Sequence, residues 1–255
     1  MTENKAKIAI VTGASRGLGK NTALALGKKG VDVIVTYHSS AEAANSVVSA
    51  IDVMGGKAAA LQLDTANTKN FDGFGAKVNQ LLQEQWQTSQ FDFLVNNAGT
   101  GINKSFAETT EEDFDHLMNI HLKGVFFLTQ KLLPMIKDGG RIVNISSGLA
   151  RFTLPGYSAY ATMKGGIEVL TRYMAKELGG RQIAVNTIAP GAIETDFGGG
   201  VVRDNQQIND FIASQTALGR AGVPDDIGGA IASLLSEDNR WVNAQRIEVS
   251  GGVFL

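Results

Sequence analysis

The sequence predicts an α/β fold in a single domain over residues 1–255, a doubly wound parallel sheet of seven strands with helices on both faces. Three observations carry this expectation. Seven short runs rich in Val and Ile scarcely alternate, so they suit strands covered on both faces. The segments between them place apolar residues at helical period, and the first run leads through a glycine-rich turn into a helix.

In chain order, strands are expected at Ile8 to Thr12, Asp32 to Thr36, Ala58 to Leu63, Phe91 to Asn96, Arg141 to Ser146, Ile183 to Ile188 and Arg246 to Val249. Lys20 to Gly30, Ala41 to Val53 and Phe71 to Gln85 read as helices between them. A βαβα order needs right-handed crossovers and gives a parallel sheet. Gly198-Gly199-Gly200 opens the least regular stretch, which runs to about Gly222, and residues 197–216 are expected to form a lid over a substrate.

Composition narrows the function classes. Hydrophobic residues make up 44% and charged residues 19%, ordinary values for a soluble globular chain. A formal net charge of −2 leaves no basic footprint for nucleic acid or an anionic membrane. The absence of Cys removes disulfides and thiolate metal sites, and His38, His116 and His121 lack ligand spacing, so no metal is expected. Met1 to Lys7 carries no apolar signal region and no run of 18 apolar residues occurs, so a cytoplasmic protein is expected.

The chemistry is written in Tyr160-Ala161-Thr162-Met163-Lys164, with Ser147 thirteen residues before the Tyr. Residues four apart on a helix share a face, so the Lys164 ammonium is expected to lower the Tyr160 pKa and fit the phenol for proton transfer. Ser147 ends a buried strand, where its hydroxyl can hold a carbonyl oxygen while Tyr160 protonates it. Tyr157 lacks a Lys four residues on, and Ser146 should point away from Ser147, so both read as structural or substrate-lining. Upstream, Thr12-Gly-Ala-Ser-Arg-Gly-Leu-Gly19 permits a tight strand-to-helix turn and close approach of a pyrophosphate. Its spacing is neither G-x-G-x-x-G nor a Walker A loop.

Taken in order, Thr12 to Gly19, Asn96-Asn97-Ala98-Gly99, Asn119, Ser147, Tyr160 with Lys164, and Pro190-Gly191 followed by Thr195 resemble the motifs of a classical short-chain dehydrogenase/reductase over essentially the whole chain. The resemblance implies a Rossmann-type fold and hydride transfer between a nicotinamide and a carbonyl or secondary alcohol. It places the pyrophosphate on Gly13, Ser15, Arg16, Gly17, Leu18 and Gly19, and the adenine near Asp64 and Thr65. Asn97, Ala98 and Gly99 would wall the adenine ribose, and Pro190, Gly191, Ile193 and Thr195 would flank the nicotinamide. Lys164 would also hold the nicotinamide ribose, and Asn119 would be the fourth catalytic residue, organising a proton relay through a helix distortion.

Cofactor choice is expected at the end of the second strand, where a carboxylate would bind the ribose 2′-OH of NAD and repel a 2′-phosphate. Tyr37, His38 and Ser39 occupy that edge with no acid among them, and Arg16 could pair with a phosphate, so NADP(H) is favoured over NAD(H).

Leu149 to Gly156, Ile193 and Phe197 to Thr216 are expected to line a largely apolar pocket for a small carbonyl or alcohol substrate. Arg151 and Arg203 read as solvated or as contacts to an anionic substrate. Some family members reduce 3-oxoacyl groups on acyl carrier protein. Arg181 could serve that docking, but Asp138 stands where a cation would be wanted. A dinucleotide sensor without turnover is the competing class, and it predicts loss of Tyr160, Lys164 or Ser147. Leu122 to Ile136 and Tyr157 to Leu178 resemble the helices of a four-helix interface, and the chain end to Leu255 is apolar, so a homotetramer is expected.

Overall fold

The computed structural model describes residues 6–255; the signal-free reading of Met1 to Lys5, and those positions of the expected domain, lie outside the described residues. The first half runs β1 (Ile8–Val11), α1 (Gly17–Lys28), β2 (Asp32–Tyr37), α2 (Ala41–Val53), β3 (Ala58–Gln62), α3 (Phe71–Trp86) and β4 (Phe91–Asn96). There follow α4 (Glu111–Met118), α5 (Gly124–Leu132), β5 (Ile136–Ile145), α6 (Ser158–Glu177) and β6 (Ala184–Pro190). The chain closes with α7 (Val201–Asp204), α8 (Gln206–Ser214), α9 (Pro224–Leu234) and β7 (Arg246–Val249).

The seven strands form one sheet in the order β3-β2-β1-β4-β5-β6-β7, every neighbouring pair parallel. Alternate residues of one strand serve opposite cores. Ala9 and Val11 of β1 pack with Leu26, Val47, Ile51 and Ile231 under α1, α2 and α9. Ile8 and Ile10 pack with Phe74, Val78, Leu82 and Leu132 under α3 and α5. Both faces are therefore dry, which is why the strands read as continuous apolar runs. The order reverses direction between β1 and β4, opening a crevice at their carboxyl ends.

Three local features depart from the sequence reading. Strand β5 starts at Ile136 and not at Arg141, and its pairing with β4 shifts between Phe91 and Phe93. The polar Asp138-Gly139-Gly140 insert forms the bulge and hides the strand start from any pattern of apolar residues. The irregular stretch after Thr195 contains two helices. Gly198, Gly199 and Gly200 adopt left-handed backbone, and Asn205 then caps α8 by accepting from the Ile208 amide at 3.2 Å. The apolar chain end is partly internal: Val253 is buried and Phe254 packs on Phe152 at 4.7 Å between ring centres, while Leu255 is exposed.

Among the described residues, no helix is long and apolar enough to cross a membrane.

Candidate active site

The glycine turn is shaped by how little room surrounds it. Gly13 has φ of +63°, and a Cβ there would lie 2.9 Å from the Ala98 Cα. At Gly19 a Cβ would lie 2.3 Å from the Gly13 carbonyl oxygen and 2.4 Å from the Asn97 amide nitrogen. The end of β4 is laced to this turn: Thr12 Oγ1 accepts from the backbone amides of Asn97 and Ala98, each at 2.9 Å, and the Asn97 side chain donates to the Thr12 carbonyl at 2.8 Å. Arg16 caps α1 in extended conformation without a side-chain capping bond. The first amides of α1 therefore face the crevice with the positive end of the helix dipole, which suits a pyrophosphate. The donor set fits a dinucleotide.

The rim where a ribose 2′-substituent would lie carries exposed Arg16, His38 and Ser39, with Tyr37 half-buried at the end of β2. Beyond β3, the Asp64 carboxylate stands 4.0 Å from His38 Nε2 and accepts from the Ala66 amide at 2.9 Å. Thr65 is half-buried beside it. The α2 cap is Ser40, which accepts from the Ala43 amide, leaving Ser39 free of that duty. On the other side of the turn, Thr195 accepts from the Phe197 amide at 3.2 Å, and a Cβ on Gly17 would stand 3.9 Å from it. Pro190 ends β6, the Gly191 amide donates to the Val249 carbonyl, and Ile193 bridges to Gly222. The structure brings the expected pyrophosphate and nicotinamide residues to one crevice.

Ser147 follows β5 in extended backbone and caps the short turn Gly148–Ala150 by accepting from the Leu149 amide at 3.2 Å. Ser146 points the other way and donates to Glu168 at 2.7 Å. Tyr160 and Lys164 share a face of α6, both almost fully buried, and the Ser147 hydroxyl lies beside the phenol. The helix is held by a buried polar chain. Asn96 donates to Asn144 at 2.8 Å, Asn144 to Thr171 of α6 at 2.9 Å, and Thr187 of β6 to the same Thr171 hydroxyl at 2.8 Å. Breaking one of these bonds would leave a buried group unpaired at about 1–3 kcal/mol, so the chain sets the register of α6 on the sheet, although Asn96 Oδ1 itself has no partner among the described residues.

The electrostatics correct one expectation. Burial pushes the Tyr160 phenol above its ordinary value, opposed by the neighbouring Ser147 hydroxyl, where a depression by Lys164 was expected. The reason lies in the Lys. Its Nζ donates to the Ile145 carbonyl at 2.7 Å, stands 5.5 Å from the Tyr160 ring centre, and is itself pushed down to about 7 by burial. A group that gives up its own charge in a dry site depresses its neighbour only weakly.

Asn119 begins a π turn, Asn119–Lys123, that joins α4 to α5, so the helix is distorted there. Its carbonyl accepts from the Gly124 amide, and its side chain makes no hydrogen bond among the described residues. His121, two residues on, is the side chain turned toward Tyr160: the rings meet edge to face with centres 5.2 Å apart. Sequence reasoning set His121 aside for want of ligand spacing. The signal available was its place on the stripe Leu117, His121, Gly124 and Leu128, all buried. Phe197 covers Tyr160 from the far side at 5.7 Å.

Three arginines are spoken for. Arg151 pairs with Glu248 at 2.8 Å and reaches the carbonyls of Val253 and Phe254. Arg203 pairs with Asp196 and Asp204. Arg181 pairs with Asp138 at 2.7 Å.

A family model described as enoyl-(acyl carrier protein) reductase matches residues 13–254. An uncharacterized oxidoreductase of Methylorubrum extorquens is 37% identical over 253 residues, spanning 99% of this chain and 100% of the relative. The hydroxynaphthalene reductase-like protein Arp2 of Metarhizium brunneum is 37% identical over 258 residues, spanning 96% and 94%. The crystal structure of the angucycline C-6 ketoreductase LanV with bound NADP superposes with a TM-score of 0.93 at 34% identity, over 98% of this chain and 97% of that one. With the glycine turn, the Ser147–Tyr160–Lys164 constellation and relatives matched end to end, the chain belongs to the short-chain dehydrogenase/reductase family.

Proposed function

We propose that the protein is an NADP(H)-dependent reductase of a ketone or aldehyde, reversible toward the secondary alcohol. The observation that carries this reading is the convergence of Ser147, Tyr160 and Lys164 at the carboxyl edge of β5, beside a dinucleotide crevice whose β2 rim holds Arg16 and no acid. Relatives named as a hydroxynaphthalene reductase-like protein and as a ketoreductase with NADP support the carbonyl substrate and the phosphorylated cofactor. A bound nicotinamide supplies the hydride.

The chain's own residues then have distinct tasks. The first amides of α1, with Ser15 and Leu18, hold the pyrophosphate, the exposed Arg16 side chain meets the 2′-phosphate, and Asp64, Thr65 and Asn97 to Gly99 border the adenosine. Ser147 orients the carbonyl oxygen, and Tyr160 gives it a proton. Lys164 restores the Tyr160 proton. Phe197 and the helices α7 and α8, within residues 197–216, form a lid that keeps water from the reacting pair.

The substrate is apolar and of small to medium size, because Phe152, Leu154 and Phe197 line its side while Arg151 and Arg203 are paired within the chain. The Arg181–Asp138 pair likewise disfavours docking of an acidic carrier protein, which ranks the 3-oxoacyl thioester reading second. A non-catalytic sensor fits poorly with an intact Ser147, Tyr160 and Lys164. Phe126 and Phe127 of α5 and Val169 and Tyr173 of α6 are exposed, which supports a homotetramer built on these helices.

Titration with NADPH and NADH, followed by a panel of aldehydes, cyclic and aromatic ketones, 3-oxo esters and acyl thioesters, tests the reading. Tighter binding of NADPH and its oxidation by one subgroup of ketones is expected. Tight binding with no turnover on any carbonyl would favour the sensor.

A further inference from the structure

Of the three polar side chains on the π turn, Asn119, His121 and Lys123, His121 is the one that meets the Tyr160 ring. His121 is 1% exposed, with its ring edge-on to Tyr160 at an interplanar angle of 87°. Nε2 lies 2.7 Å from the Thr100 carbonyl and 3.3 Å from the Thr100 amide; the shorter contact to the carbonyl needs a proton on Nε2, and that tautomer leaves Nδ1 an acceptor. Nδ1 is buried and has no hydrogen-bond partner among the described residues. Buried acceptors in folded proteins meet a donor, so this one points to a ligand.

The surroundings are cut to that nitrogen. A Cβ on Gly99 would lie 2.7 Å from His121 Cε1 and 3.3 Å from Nδ1, so any larger residue there would close the space beside it. The groups that bear on the ring are Lys164 and His116 by charge, Tyr160 by contact and Thr100 by hydrogen bond; burial and the Lys164 charge hold the imidazole unprotonated.

We infer that His121 is the positioning residue of this helix distortion, a neutral acceptor whose Nδ1 orders the water through which protons reach Lys164 and then Tyr160. This rests on the reductase reading. In each reduction the substrate carbon gains a hydride and its oxygen gains the Tyr160 proton. Lys164 returns a proton to the phenolate, the ordered water gives one to Lys164, and solvent gives one to the water. His121 keeps its Nε2 proton throughout.

The test combines nitrogen NMR of the three histidines with kinetics of His121→Phe, His121→Asn and Asn119→Ala. One imidazole should remain a neutral Nε2–H tautomer well below the ordinary histidine range, its signal missing in H121F. H121F should lower kcat at least tenfold and change the pH profile and solvent isotope effect, with NADPH affinity within twofold; H121N, which keeps an acceptor, should regain part of the rate. If H121F fails to fold, the tautomer spectrum and the H121N kinetics decide. Three histidines all titrating near the ordinary value, or an H121F enzyme with wild-type kcat and pH profile beside an impaired N119A, overturns the inference while leaving the reductase intact. A wild-type chain that binds NADPH and reduces no carbonyl overturns both.

Discussion

Around Gly13 and Gly19 the close contacts are made to the backbone, with the Thr12 hydroxyl accepting from the Asn97 and Ala98 amides and the Asn97 side chain donating to the Thr12 carbonyl. Around Tyr160 the contacts are made by side chains, half-buried Ser147, buried His121 and partly exposed Phe197, and its helix is held by the buried chain Asn96, Asn144, Thr171, Thr187. The two regions share one sheet edge, yet they respond to change in opposite ways. The glycine turn loses its function when a side chain is added, because space and free amides are what it offers. The catalytic face loses its function when a polar atom is removed, because nothing solvates what remains.

The largest break in this comparison comes from Tyr160→Phe. Loss of the transferable proton should lower kcat by about 10²–10⁴-fold, while NADPH affinity, read by fluorescence titration, stays near wild type. If turnover persisted, the proton donor would lie elsewhere.

Lys164 should govern the pH profile. Its ammonium is discharged through about pH 7, so kcat for reduction should fall above that point by about tenfold per pH unit, with oxidation showing the opposite trend. In Lys164→Arg, whose guanidinium stays charged, that limb should vanish. The stability sign follows from the same shift. The unfolded Lys keeps its proton to near its ordinary value while the folded one releases it near 7, so the unfolded state binds more protons between these limits. Stability due to Lys164 therefore rises with pH across that window, and chemical denaturation of Lys164→Met at several pH values should show the slope removed.

On the cofactor side, Gly19→Ala drives a Cβ against the Gly13 carbonyl and the Asn97 amide. A cost of about 1–3 kcal/mol is expected, seen as a lower melting temperature and weaker NADPH binding, with kcat at saturation less affected than in Y160F. Equal losses in kcat and affinity would dissolve the distinction between the two regions.

The smallest change sharpens cofactor choice. Arg16→Ala should weaken NADPH roughly tenfold, about 1.4 kcal/mol, and leave NADH unchanged, as measured by paired titrations. Equal effects on both would mean that Arg16 does not meet a 2′-phosphate.

Much of the architecture was legible because its cause is local. Val33 to Val35 and Ile142 to Val143 are apolar on both faces, and that pattern forces a sheet covered on both sides. The glycine turn was legible because few residues tolerate such crowding, and the Tyr160–Lys164 spacing because a helix puts them on one face. Where β5 begins was hidden by Asp138-Gly139-Gly140, a polar bulge that no apolar period marks. The roles of Arg151, Arg181 and Arg203 were also hidden, since their carboxylate partners include residues as distant in the chain as Glu248 is from Arg151.

By itself, then, the sequence determined a seven-stranded parallel sheet, a glycine turn for a dinucleotide and a Ser, Tyr, Lys set, because periodicity and short spacings are properties of neighbouring residues. Only the tertiary structure decided that Lys164 sits too dry to hold its charge firmly, that Tyr160 is pushed up and not down, and that His121 and not Asn119 turns its ring to the phenol. Desolvation and the facing of side chains across elements depend on everything packed around a group, and that is settled when the sheet, α6 and the π turn close on one another.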